Sequence, residues 1–173
     1  PKELYSNIKA DINTPQKLKD AKTFDLSFAI QIDNNSKIKS LDKEDAVIYT
    51  YLPTSFKFGN EGFPFLVNAN FITDAGRQNL HQDYIWNQWL FEEMPKRFVE
   101  WMAELAKSNQ YGLDYLRLIV KEVGFDDELS SSYKKGIESA LLSTAILPRE
   151  DNELILVKDA VWDQTNISSF VSK

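Results

Sequence analysis

Few residues of this chain have the side-chain chemistry that catalysis requires. There is no cysteine and a single histidine, His81, so thiol catalysis, disulfides, thiolate zinc sites and multi-histidine metal sites are excluded. Phosphate-binding glycine loops, the nucleophile elbow of hydrolases and the HExxH zinc motif are absent. A Ser-His-Asp arrangement would have to be built on His81 without a supporting motif. A Mg²⁺ or Ca²⁺ site made of carboxylates alone stays open, although no calcium-loop spacing occurs.

Two carboxylate pairs and one cation complete the list of candidates. Glu92 and Glu93 are neighbours on a predicted helix and therefore point in different directions. Asp126 and Asp127 stand where helix caps stand. We interpret both pairs as capping or solvated residues. Arg77 lies between a predicted strand and a predicted helix, where an arginine ordinarily forms a weak surface ion pair.

Composition and charge limit the classes of partner. Hydrophobic residues make up 43% of the chain and aromatic residues 13%, which suffices for a packed core. The net charge is −6 without a Lys/Arg cluster, and this disfavours nucleic acid, which requires a concentrated positive surface. No apolar run is long enough to cross a bilayer, so we expect no membrane partner. The absence of cysteine is compatible with a cytoplasmic protein, and we expect that compartment.

Three segments predict strands. Phe24–Ile32 alternates apolar and polar residues, the pattern of a half-buried strand. Ala46–Leu52 is apolar apart from Thr50, which predicts a central strand covered on both faces. Phe63–Ile72 predicts a third strand with Asn68 and Asn70 on one face and four apolar residues on the other: Phe65, Val67, Ala69 and Phe71.

Helical patterns surround these strands. Leu4–Ala21 is predicted to be at least partly helical, with Thr14 as a cap and Pro15 in the first turn. Tyr84–Ala106 has apolar residues at three-and-four spacing, which predicts one amphipathic helix, or two separated at Pro95. Four later elements are predicted. Two are helices, over Leu113–Val123 and over Leu129–Leu141, the second preceded by a cap at Asp126-Asp127; then come a short strand over Glu153–Val157 and a helical turn over Lys158–Gln164.

Strands that precede helices predict the α+β class. We expect a mostly antiparallel sheet with helices packed on one face in residues 1–110, and a helical subdomain with a short late strand in residues 111–173. The chain begins at Pro1 rather than Met, which predicts a piece of a longer protein.

One stretch resembles a known family. Its matching pieces are Tyr51-Leu52-Pro53-Thr54, Gly62-Phe63-Pro64-Phe65, Val67-Asn68-Ala69-Asn70-Phe71, Thr73 through Arg77, and Trp86-Asn87. In order and spacing they resemble the segment that follows the ATP-binding domain in sacsin-like proteins, which are Bergerat-fold (GHKL) ATPases related to the ninety-kilodalton heat-shock chaperones. The late stretch Glu153–Thr165 is more weakly similar to the same proteins.

The resemblance implies a role for Arg77. In the heat-shock relatives, an arginine of the middle domain reaches the terminal phosphate of ATP bound next door, and Arg77 matches that position. A guanidinium is permanently charged and can donate two hydrogen bonds to phosphate oxygens. The relatives carry a glutamine four residues further on, where this chain has His81; a neutral imidazole can still donate a hydrogen bond. Asn68, Asn70 and Thr73 are expected to support this loop.

The resemblance further implies an accessory middle, transducer-like domain that is not an enzyme by itself. Its partners would be the ATP-binding domain of the same polypeptide and client proteins. ATP and Mg²⁺ would belong to the full-length protein, because the magnesium-holding Asn and Glu, the DxGxG loop and the glycine-rich lid are absent here. The alternative is a protein-interaction module without nucleotide coupling. Trp86, Trp89 and Trp101 are expected in the core, and any of them that proved exposed would be a contact for such a module. A hydrolase built on carboxylates and His81 ranks last.

Overall fold

In a computed structural model, the description covers residues 2–120, 127–149 and 151–160, with side chains from residue 6 onward. The four α-helices in this part of the chain are α1 (Lys2–Ala10), α2 (Gln16–Lys19), α3 (Ile85–Ser108) and α4 (Glu128–Ser143). The strands are β1 (Leu26–Ala29), β2 (Gln31–Ile32), β3 (Ile38–Lys39), β4 (Ile48–Thr50), β5 (Leu52–Pro53), β6 (Leu66–Ala69), β7 (Leu147–Pro148) and β8 (Leu154–Ile155), with 3₁₀ turns at Asp114–Leu118 and Val157–Asp159.

The main sheet has the strand order β1-β6-β4-β5. β1 pairs antiparallel with β6, and β4 pairs antiparallel with β5. β4 and β6 run parallel, with Ile48 opposite Val67. Two smaller antiparallel pairs, β2-β3 and β7-β8, lie outside this sheet. The predicted α+β class is therefore confirmed, and the sheet is mixed at its centre.

One face of the sheet packs against α3. The alternation predicted for the third strand is confirmed, because Phe65, Val67, Ala69 and Phe71 are all buried. The ring of Phe98 on α3 stacks on Phe65 with 4.2 Å between centroids. Phe28 of β1 meets the same Phe98 edge-on. This aromatic layer fixes α3 across the strands that lead to the loops described below.

α3 is one continuous helix rather than two. Its apolar stripe is buried from Trp86 to Ala106, as the three-and-four spacing predicts. Pro95 lies inside it and is itself buried. A proline has no amide hydrogen to donate the helical hydrogen bond at its position. The helix continues because its tertiary contacts compensate for the missing bond.

α4 packs along α3 and extends the same core. Asp127 caps α4 as predicted, with its side chain accepting a hydrogen bond from the Ser130 amide. Tyr133 contacts Phe58 and Phe63, which come from the strand region, at centroid distances of 4.9 and 5.3 Å. Leu129, Tyr133, Ile137 and Ala140 accordingly belong to one buried cluster with the residues of the sheet.

The strand predictions fail in two ways. The apolar run at Ala46–Leu52 is not a single covered strand, because the backbone reverses at Tyr51, whose φ is 62°, and returns as β5. Tyr49 on β4 is only half-buried, so this strand is not covered on both faces. The run Phe24–Ile32 is likewise divided, since β1 and β2 belong to different sheets.

The helix predictions also need correction at two places. The helix predicted over Leu113–Val123 is a 3₁₀ turn that ends at Leu118, because Ile119 is extended with φ −72° and ψ 123°. Thr14 does not cap α2; its hydroxyl donates to Asp11, and Pro15 occupies the cap position. The late strand is confirmed in shorter form as β8. Residues 121–126 and the end of the predicted turn at Lys158–Gln164 lie outside the described residues.

Candidate functional site

Arg77 lies in a compact loop between β6 and α3. We call residues Thr73–Leu80 the Arg77 loop. An antiparallel bridge between Thr73 and Leu80 closes it. Inside, the Asp74 carboxylate accepts hydrogen bonds from the amides of Gln78 (2.8 Å) and Asn79 (3.1 Å) and from the Asn79 side chain (3.2 Å). The loop is therefore organised by its own aspartate, in the manner of an Asx turn.

These contacts change the acidity of Asp74. The amide of Gln78, followed by the side chain and amide of Asn79, lowers the pKa of the Asp74 carboxyl below its ordinary value, although partial desolvation opposes the shift. His81 adds a small charge effect in the same direction. Asp74 is thus a structural carboxylate held in its ionised form.

The backbone at Arg77 adopts an uncommon conformation. Its φ is 55°, in the left-handed region that non-glycine residues enter at a cost of roughly 1 kcal/mol. Its amide donates to Asp74 O at 3.1 Å, and its carbonyl accepts from the Ser55 amide at 3.0 Å. Such strain persists only where surrounding bonds impose it.

The guanidinium of Arg77 binds backbone rather than a carboxylate. Its Nη2 donates to the carbonyls of Thr50 (2.8 Å) and Leu52 (2.9 Å). Nε is buried and has no hydrogen-bond partner among the described residues. The side chain as a whole is half-buried. Arg77 therefore holds a net positive charge against two neutral acceptors.

The two carbonyls flank a second left-handed residue, Tyr51. We call residues Ile48–Pro53, which comprise β4, Tyr51 and β5, the Tyr51 hairpin. The Tyr51 amide donates to Oδ1 of Asn68 on β6 at 2.8 Å. Its side chain is 70% exposed, and the neighbouring Leu52 is 63% exposed. Arg77 and Asn68 thus hold a strained turn that presents two large apolar side chains to solvent.

The first turn of α3 forms hydrogen bonds with the residues that flank the Arg77 loop, which we call the base of the loop. Trp86 Nε1 donates to Asn70 O at 2.7 Å. Asn87 Oδ1 accepts from the Ile72 amide at 2.9 Å, while Nδ2 donates to Ile72 O at 2.7 Å and to His81 O at 2.8 Å. Asn87 is completely buried. The helix therefore fixes both chain ends that enter the loop.

His81 stands at the far end of the loop, and its partners differ from those of Arg77. Its ring stacks on Tyr84 with 4.3 Å between centroids and 9° between planes. Its amide donates to Ile72 O at 3.2 Å. The described contacts hold His81 against the entrance to α3, whereas Arg77 is held against the Tyr51 hairpin.

The three residues expected to support the loop make different contacts in this region. Asn68 acts through its side chain, but on the Tyr51 hairpin. Asn70 contributes its carbonyl, which accepts from Trp86. Thr73 contributes its backbone to the bridge with Leu80. All three lie in one region, where the Arg77 loop, the Tyr51 hairpin and α3 meet.

Charge pairing distinguishes Arg77 from the other arginines. The sequence has four, all within the described residues. Three have a carboxylate oxygen within 4.0 Å: Arg97 pairs with Glu100, Arg117 with Asp114, and Arg149 with Asp151. No described carboxylate pairs with Arg77. In a chain with a net charge of −6, an unpaired guanidinium is a marked exception.

Other regions of the described structure offer less chemistry. Within residues 2–120, 127–149 and 151–160, no cluster of three or more acidic or histidine side chains is arranged to hold a metal ion. None of the helices in these ranges combines the length and apolarity needed to span a membrane. The carboxylates of Glu92 and Glu93 both pair with Lys96, and Glu92 also pairs with Lys135, so they serve as surface ion pairs.

Comparison with known proteins gives a distant relative. No protein-family model and no solved structure matches the chain. The chain is 23% identical over 148 residues to the Protein NO VEIN of Arabidopsis thaliana. That match covers 82% of this chain but only 5% of the relative, so the chain spans about 5% of the length of the curated protein it matches. The resemblance to sacsin-like ATPases stays a prediction.

Two residues of the site carry roles that the sequence pattern does not assign. The sequence marks Asn87 only through the resemblance, yet Asn87 makes three hydrogen bonds at the loop base. A signal for it exists, since it is a polar residue among buried positions of an amphipathic helix. Tyr51 has no such signal, because nothing in an apolar run marks the residue at which the backbone reverses.

Proposed function

We propose that this chain is the accessory, transducer-like middle domain of a larger, sacsin-like chaperone-type ATPase. In this proposal Arg77 donates hydrogen bonds to the terminal phosphate of ATP bound by a neighbouring domain, and the domain couples hydrolysis to the remodelling of client proteins. The chain alone would not hydrolyse ATP. ATP and Mg²⁺ would be held by the neighbouring domain.

The observation that carries the proposal is the state of the Arg77 guanidinium. It is the arginine without a carboxylate partner among the described residues, and its Nε is buried without an acceptor. A buried polar group without a partner is costly, and an anion that approaches would supply the missing acceptor. Phosphate oxygens suit a planar guanidinium because charge-assisted bonds of this type are roughly twice as strong as bonds between neutral groups.

The same geometry supports coupling. The carbonyls of Thr50 and Leu52 are neutral acceptors, so a phosphate can compete with them for Nη2. When Arg77 turns to phosphate, the strained turn at Tyr51 loses two of its restraints. The exposed Tyr51 and Leu52 side chains would then change position with the nucleotide state, as switch segments do in other nucleotide-driven proteins.

The test is Arg77→Ala in the polypeptide that includes the neighbouring ATP-binding domain. We expect kcat for ATP hydrolysis to fall by about a hundredfold, the usual effect of removing one charge-stabilising donor, while KM for ATP changes less than about twofold. Arg97→Ala is the matched control, since Arg97 is an exposed arginine paired with Glu100 on α3. Equal turnover in the two variants would reject the phosphate role.

A second candidate function is a protein-interaction module without nucleotide coupling. The exposed pair Tyr51 and Leu52 favours it, because large apolar side chains rarely stand together on a protein surface without a partner. A photo-crosslinking amino acid at position 51 should then capture the same protein with or without ATP, and Arg77→Ala should weaken capture equally in both conditions, because its guanidinium holds the hairpin. The control position is Leu113, which is 57% exposed and lies away from the hairpin in sequence. Capture that requires ATP would favour the first function instead.

A further inference from the structure

Asn87 is a polar residue in a position where an apolar one would pack. It lies in the first turn of α3, is completely buried and has Trp86, Leu90 and Phe91 as buried neighbours on the same helix. A buried amide is tolerated only when its hydrogen-bonding groups are satisfied. Here the carbonyl oxygen has one donor and the amino group has two acceptors, so all three contacts are specific to an amide.

These contacts join the two ends of the Arg77 loop. Ile72 precedes the loop and His81 follows it, and Asn87 binds the backbone of both. Ile72 O also accepts a hydrogen bond from the His81 amide, so the two ends of the loop are joined directly as well as through Asn87. With its base fixed to a long helix, the loop can turn only within narrow limits. Arg77 lies near its middle, four residues before His81.

We infer that Asn87 is a positioning residue, which orients the Arg77 guanidinium by locking the loop base to α3. The inference rests on the proposed function, since it assigns the orientation a role in phosphate contact. Asn87 touches neither phosphate nor the Arg77 side chain. It acts through the backbone of residues 72–81.

No other side chain of similar size can replace the amide. Aspartate keeps the acceptor for the Ile72 amide but places a second oxygen against the carbonyls of Ile72 and His81. Leucine has the volume but leaves all three backbone groups without partners. Asn87→Asp is therefore the sharpest variant. Gln88→Glu is the matched control: it makes the same amide-to-carboxylate change one residue along, where a single exposed bond to Gln82 O is lost.

The first experiment measures ATP turnover in the polypeptide that includes the ATP-binding domain. Asn87→Asp should lower kcat by at least about tenfold, the usual cost of misaligning a catalytic contact, with KM for ATP within about twofold of the wild type. Gln88→Glu should keep the wild-type kcat. In an Arg77→Ala background, Asn87→Asp should lower kcat no further, because a residue that acts only through Arg77 has nothing left to position. Additive losses would overturn the inference.

The second experiment measures amide hydrogen exchange in the 173-residue chain and does not depend on ATPase activity. The amides of Gln78, Asn79 and His81 should exchange on the order of tenfold faster in Asn87→Asp than in the wild type, since the two bonds that the Asn87 amino group donates at the loop base are lost. They should be unchanged in Gln88→Glu. Asn87→Ser, which is smaller and uncharged, provides the same comparison if the aspartate variant does not fold. Unchanged exchange in a folded Asn87 variant would overturn the inference.

The two experiments separate two kinds of failure. Should Arg77→Ala retain full turnover, the phosphate role is wrong, whatever the exchange of the loop amides. Should Arg77→Ala lose turnover while the Asn87 variants keep it, the phosphate role stands and the positioning role is wrong.

Discussion

The close contact between α3 and α4 at Gly136 is predicted to tolerate no side chain at that position. A Cβ added there would lie 3.0 Å from the carbonyl carbon of Glu92 on α3 and 3.2 Å from its Cα, and closer still to the carbonyl oxygen. These atoms belong to the backbone of α3, so no side-chain rotation can relieve the clash. In a close-packed interior, α4 would have to move away by on the order of 1 Å.

Two opposing terms set the size of the effect of Gly136→Ala. Overpacking a core contact costs about 1–3 kcal/mol, and a backbone clash falls at the upper end. Alanine recovers about 1 kcal/mol because glycine is a poor helix former. The free energy of unfolding should therefore fall by about 2 kcal/mol, and for a chain of this size the Tm by about 4–8 °C.

The assay is thermal or denaturant unfolding followed by circular dichroism. The control is Ser139→Ala, three residues further along α4 at an exposed position, where alanine adds helix propensity and meets no neighbour. It should raise the free energy of unfolding by a few tenths of a kcal/mol. If Gly136→Ala is as stable as Ser139→Ala, the close approach of the helices is wrong.

Other predictions concern buried tyrosines and the loop aspartate. Tyr133→Phe should raise the Tm by about 3 °C, because it removes a buried hydroxyl with no partner among the described residues. Tyr115→Phe should lower the Tm by a similar amount, because the Tyr115 hydroxyl donates a hydrogen bond to Ile146 O at 2.5 Å. Burial raises the pKa of both tyrosines, so on raising the pH the unfolded chain releases these protons before the folded chain does. The free energy of unfolding should therefore be constant below pH about 10 and decline above it. Unfolding measured as a function of pH should show a less steep decline in Tyr133→Phe. The pKa of Asp74 is lowered in the fold, so its stabilising effect should be present above pH about 4 and lost as the pH falls further. The protection of the Gln78 amide, measured as its exchange rate relative to that of an unfolded chain at the same pH, should fall in the same range, and Asp74→Asn should remove this dependence.

Local patterns predicted the elements that depend on local chemistry. The alternation from Phe65 to Phe71 assigned the buried face of the third strand, because strand geometry alone places alternate residues on one side. The cap at Asp127 followed from its position before a helical pattern. A glycine inside a helix is unfavourable by propensity, and at position 136 its reason is a contact with residue 92, far away in the chain. Helix propensity cannot anticipate such a contact.

The sequence named Arg77 and Asn68 as candidates, but their contacts with the turn at Tyr51 escaped prediction for the same physical reason. The restraints on the turn at Tyr51 come from Asn68 and Arg77, which are 17 and 26 residues away, and no local rule forecasts bonds across such separations. The 3₁₀ turn that ends at Leu118 shows that a local pattern can also predict a helix that does not form. Its apolar spacing suited a helix, but Ile119 left the helical region, and β-branched residues such as Ile119 and Val120 adopt extended backbone readily.

The two candidate functions share one residue, because Arg77 both carries the unpaired charge and holds the hairpin. Loss of function in Arg77→Ala could therefore come from either role. Asn68→Ala separates them: it removes the acceptor of the Tyr51 amide and loosens the hairpin, while the guanidinium and the Arg77 loop keep their own bonds. If presentation of Tyr51 and Leu52 is what matters, Asn68→Ala should weaken partner crosslinking at position 51 as much as Arg77→Ala does. If phosphate contact matters, Asn68→Ala should keep an ATP turnover within about twofold of the wild type, while Arg77→Ala loses about a hundredfold. A hundredfold loss in both variants would contradict the phosphate role, since no charge has been removed in the first.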